Sequence, residues 1–90
     1  MPISLEDFLN AKEGIHQLIG RGHTCFPVMK VVKPPLFGLA TIVVEDNKKV
    51  PLVVSLSDTH HLVDPVGQII PQFDTPVARI EEVPRPLLNP

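Results

Sequence analysis

Between Ser4 and Gly20 the apolar residues Leu5, Phe8, Leu9, Ile15 and Ile19 recur at near-helical spacing, with Lys12, Glu13 and Gln17 directed to solvent. That periodicity predicts a helix over 4–20. Ser4 is a suitable N-cap, and Glu6 and Asp7 place negative charge in the first turn, where the helix dipole favours it. Lys12 interrupts the apolar stripe, and Gly14 in a helix interior costs about 1 kcal/mol relative to alanine, so this helix would depend on packing. Gly20 or Gly22 would supply the left-handed residue that ends it.

Beyond Gly22 the pattern turns to β, and the β-rich part runs over 24–83. The stretch TCFPVMKVVK (24–33) is rich in valine and stops at Pro34-Pro35, with Pro27 implying an edge position or a bulge near its start. LFGLATIVVE (36–45) and VPLVVSLS (50–57) flank a polar stretch, DNKK, that reads as a hairpin turn. In the second of these strands Val50, Leu52, Val54 and Leu56 share one face and Pro51, Val53, Ser55 and Ser57 the other. Its partner, ATIVV, is apolar on both faces and belongs in the middle of a sheet. Region 58–76 is broken by Pro65, Gly67, Pro71 and Pro76, predicting an irregular connection with one short strand near 68–73. VARIEEV (77–83) is the last predicted strand, and prolines hold 84–90 extended.

These elements predict one α+β domain spanning 1–90. An N-terminal helix would pack on, or across the end of, a small antiparallel sheet. That sheet would manage its edges by curling into a small barrel or by completion in a dimer. Composition agrees with a globular chain: 43% hydrophobic and 20% charged. The prolines, 11 in 90 residues and spread along the chain, act as punctuation between short elements. A single cysteine, Cys25, excludes an intramolecular disulfide scaffold. A net charge of −2, with no Trp and no Tyr for base stacking, argues against a nucleic-acid partner despite Arg21, Lys30, Lys33, Lys48 and Lys49. No apolar run is long enough to span a bilayer and the first residues lack a signal-peptide pattern, so no membrane partner is expected and the cytoplasm is the default compartment.

The one concentration of chemistry-bearing side chains is SDTHHLVD, residues 57–64. In a strand, His60 and His61 would face opposite ways; in a helical turn, His60 could pair with Asp64, or His61 with Asp58 and Asp64. Transition metals need further protein ligands, for which His16, His23 and Cys25 are available. The candidate metal set is therefore His60, His61, Asp64 and Asp58 with His23 and Cys25, although no established ligand spacing is present. The alternative is a polar turn, capped by Asp58 and stopped by Pro65. Ser55 or Ser57 with these histidines and aspartates, or Cys25 beside His23, form no catalytic motif, and no glycine-rich phosphate loop occurs. No cofactor is expected.

The features together favour a non-enzymatic protein–protein interaction or assembly module, its partner another protein or a second copy of itself. The apolar segments PPLFGLA, QIIPQF and PLL exceed what a small sheet must bury. Pro86, Leu87 and Leu88 in the pre-ordered tail are candidate partner-binding residues. Metal binding through the His/Asp cluster is the alternative, and a nucleic-acid-binding small barrel a further one.

Overall fold

The computed structural model describes residues 3–35, 37–73 and 78–84. Helix α1 occupies only Leu5–Leu9. Its start is as expected: the Ser4 hydroxyl accepts the Asp7 amide at 3.1 Å, and the Asp7 carboxylate accepts the Ser4 amide at 3.3 Å. Reciprocal capping of this kind satisfies two amides that the first turn leaves without partners.

The predicted extension of the helix to Gly20 is incorrect. From Lys12 the chain turns instead, with the Lys12 amide donating to His16 Nδ1 at 2.9 Å and the Lys12 carbonyl accepting the His16 amide at 3.1 Å. Gly14 takes a φ of +76°, a left-handed conformation that no helix interior accommodates. His16–Ile19 then forms strand β1. A strand there gains a ladder on both sides, with Leu18 facing Phe26 on one neighbour and Ile80 on the other. Continuing the helix would forgo both ladders and bear the cost of Gly14. The five-residue helix buries Phe8 and leaves Leu5 and Leu9 exposed.

Strands β2 (Cys25–Val31), β3 (Thr41–Glu45), β4 (Pro51–Leu56), β5 (Leu62–Val63) and β6 (Arg79–Glu82) complete one antiparallel sheet in the order β5-β4-β3-β2-β1-β6. The first five strands form a meander, and β6 returns to pair with β1. β3 lies in the sheet interior, as its two-sided apolar pattern requires. Pro27 sits in an interior strand, just before a register shift between Val28 and Lys30, so the bulge expectation applies and the edge expectation does not. The short strand expected at 68–73 is replaced by a single bridge, Val63 to Ile69, and a 3-10 turn at Pro71–Phe73.

The sheet curls into a half-barrel. Alternate residues from five strands, including Leu18, Phe26, Val28, Ile42, Val54 and Leu62, meet in one core. Ile3, Phe8 and Ala11 cover that core from the N-terminal segment, and Ile70, Phe73 and Ala78 from the late connection. Of QIIPQF, Ile70 and Phe73 thus enter the core, while Gln68, Ile69, Pro71 and Gln72 stay exposed. The Phe73 ring meets Phe26 edge-on at 4.9 Å, which seats the 71–73 turn against the β1–β2 corner. The short helix makes the architecture mostly sheet, a narrower version of the expected α+β arrangement.

Candidate functional site

SDTHHLVD holds one hairpin corner, Ser57–His61, followed by β5, and its last residue, Asp64, opens a second corner. In Asp46–Val50, Ser57–His61 and Asp64–Gln68 alike, the first residue's amide donates to the carbonyl of the fifth. Its own carbonyl accepts the amide of the fourth. The fourth residue has positive φ in each: 66° at Lys49, 63° at His60 and 86° at Gly67. This is a type I turn followed by a left-handed bulge residue, a frequent three-residue hairpin connection. The first side chain clamps the loop. Asp46 Oδ1 accepts the amides of Lys48 and Val50 at 2.8 and 2.9 Å, and Asp64 Oδ1 those of Val66 and Gln68 at 3.0 and 2.9 Å. Ser57 Oγ accepts the His61 amide at 3.0 Å. Gly20–Thr24 repeats the backbone frame without a side-chain clamp, with His23 at φ 61°.

The geometry separates the candidate ligands. His60 Nδ1 lies 3.4 Å from the Ile3 carbonyl, tying the N-terminal segment to the β4–β5 corner. His61 Nδ1 lies 2.8 Å from the Thr59 hydroxyl, so a hydroxyl and not a carboxylate occupies that position. Asp58 is exposed, and Asp64 Oδ1 is committed to loop amides. His23 and exposed Cys25 stand at the β1–β2 corner, with Cys25 Sγ 3.6 Å from the His23 carbonyl. The register puts the 57–61 corner beyond the opposite end of β2, about 20 Å away at ~3.3 Å per residue. Among the described residues no three His, Cys, Asp or Glu side chains gather into a set able to hold a metal ion. The lysines divide in the same way: Lys30 and Lys33 lie towards one end of the strands, Lys48 and Lys49 at the other with Arg21. Pro86, Leu87 and Leu88 lie outside the described residues.

A groove of about 340 Å³ opens beside the second corner, lined by Phe37, Leu39, Ser55 and the turn Asp64–Gly67. Ile42 and Val54 pair across β3 and β4 with their side chains in the core, so their neighbours Thr41 and Ser55 point to the other face of the sheet. There they are nevertheless 1% and 3% exposed, beneath the groove. Their hydroxyls are 2.8 Å apart, and Thr41 Oγ1 donates its one proton to the Leu39 carbonyl at 2.8 Å. Ser55 must therefore donate to Thr41, leaving its own lone pairs as acceptors.

The walls are apolar and exposed. Phe37 is 81% exposed and Val66 79%. Phe37 also holds a φ of 52°, which is unusual for a bulky residue. A large aromatic side chain in a strained backbone conformation with little contact of its own costs stability without contributing to the core. The sequence marks PPLFGLA as surplus apolar material but does not show the groove, whose two walls are 29 residues apart in sequence (Phe37 to Val66). The turn signal Asp64-Pro65-Val66-Gly67 was present, but only strand register carries it to Ser55.

No helix among the described residues is long and apolar enough to cross a membrane. Comparison with known proteins finds no match: no family model, no curated protein and no solved structure.

Proposed function

We propose that this chain is a non-enzymatic protein–protein interaction or assembly module that docks a partner, another protein or a second copy, on the outer sheet face around the groove. The observation that carries the reading is Phe37, four-fifths exposed in a left-handed conformation at the rim of a preformed apolar groove. Solvent-exposed apolar side chains clustered about a concavity are the ordinary mark of a binding surface. The rim is held by backbone hydrogen bonds of the Asp64–Gln68 turn, so little ordering entropy remains to oppose binding.

The test is a paired variant, Phe37→Ser with Val66→Ser, compared with wild type by native mass spectrometry and by crosslinked co-purification from the source cell. Neither residue contributes to the core, so circular dichroism should stay unchanged while assembly or partner capture is lost. The tail variant Leu87→Asp with Leu88→Asp separates docking through the groove from docking through the C-terminal segment. Wild-type assembly and capture by the Phe37→Ser, Val66→Ser variant would refute the proposal.

A further inference from the structure

We infer that the groove selects a protein segment presenting an aliphatic side chain next to a cationic one, a specificity that rests on the docking function proposed above. The inference follows from the polarity of the lining. Ser55 Oγ gives its proton to Thr41, because Thr41 has already given its own to Leu39. Ser55 can then only accept from an occupant. Asp64, the one charged residue among the described lining residues, accepts two loop amides on Oδ1 and offers its second oxygen as an anionic acceptor. Every other described lining residue carries an apolar side chain or, at Gly67, none.

A lining whose polar side chains only accept calls for an occupant that donates. An acidic or acceptor-rich segment would bury lone pairs against lone pairs, whereas an amide or guanidinium beside an apolar anchor satisfies both surfaces. The volume is at the low end for small-molecule sites and suits one anchor side chain with its adjoining backbone. Charge complementarity to Asp64 thus commits the groove to a basic–aliphatic peptide segment.

The test titrates isotopically labelled protein with acetylated, amidated Gly-Ala-Leu-Arg-Gly and with Gly-Ala-Leu-Glu-Gly, followed by amide NMR. The arginine peptide should shift the amides of Leu39, Ser55, Asp64, Val66 and Gly67, and should bind about fivefold more tightly than the glutamate peptide at low salt. In Asp64→Asn the side-chain oxygen can still accept the Val66 and Gln68 amides, so the fold persists and the preference should vanish. Equal binding of the two peptides, or a preference that survives Asp64→Asn, overturns the inference while leaving the docking function intact. Failure of either peptide to shift the groove amides overturns this inference. Loss of assembly on Phe37→Ser with Val66→Ser would then still speak for docking, and its retention against it. Shifts of the same amides on protein dilution without peptide would make a second copy the occupant and overturn it equally.

Discussion

Gly20→Ala is the substitution whose cost the structure sets most directly. A β-carbon at Gly20 would lie 2.9 Å from the Gln72 carbonyl oxygen and 2.9 Å from Phe73 Cε1. Gly20 has a φ of −113°, open to any residue, so the penalty is purely steric. Relief requires the 71–73 turn to retreat by about half an ångström, to ordinary contact. That turn has little freedom to move, because Phe73 is buried edge-on against Phe26. Overpacking alone costs about 1–3 kcal/mol. Partial loss of the aromatic contact adds about 0.5–1.5 kcal/mol. The expected destabilisation is therefore about 1.5–4.5 kcal/mol, equivalent to a fall in Tm of at least about 6 °C for a domain of this size. With no Trp and no Tyr in the chain, the assay is urea and thermal unfolding by far-UV circular dichroism. Gly14→Ala is the control: open space surrounds it, but its φ of +76° predicts a loss of about 1 kcal/mol. Phe73→Leu should be less damaging in the Gly20→Ala background than alone, since the ring is what the methyl strikes. A Gly20→Ala domain no less stable than the Gly14→Ala control would refute the reasoning.

Lys49→Gly should stabilise by about 0.5–1 kcal/mol by relieving a left-handed non-glycine residue, and His60→Gly by less, since it also gives up the Ile3 contact; denaturant midpoints check both. Thr41→Val leaves the buried Ser55 hydroxyl without its acceptor and should cost about 1–3 kcal/mol, part of which returns in the Thr41→Val, Ser55→Ala double variant. Asp46→Ala and Asp64→Ala, which remove equivalent loop clamps, should each lose about 1 kcal/mol in the same melts, yet only Asp64→Ala should weaken peptide binding at the groove.

Local chemistry was legible wherever a few adjacent residues settle the conformation. Ser4 with Asp7, the Asp46–Val50 hairpin and the alternation of Leu52, Val54 and Leu56 towards the core needed only capping, turn geometry and a period of two, although Val50, expected on that face, lies outside the strand and is exposed. Residues 15–20 were ambiguous because Ile15 and Ile19 satisfy a helical spacing while Leu18 and its neighbours equally satisfy a buried strand. The outcome rested on β2 and β6, and β6 lies some sixty residues further along the chain. The adjacent histidines looked like chemistry because composition alone cannot distinguish a ligand cluster from the left-handed corner of a hairpin; backbone hydrogen bonds made that distinction. The groove was decided wholly by tertiary structure. Phe37, Ser55 and Asp64 carry no shared spacing, and they meet because β-pairing places Thr41, Ser55 and Val63 side by side and so draws the flanking loops together. Capping and turn preferences act over a few residues and can be read in order, whereas strand pairing joins distant segments through hydrogen bonds that name no particular side chain.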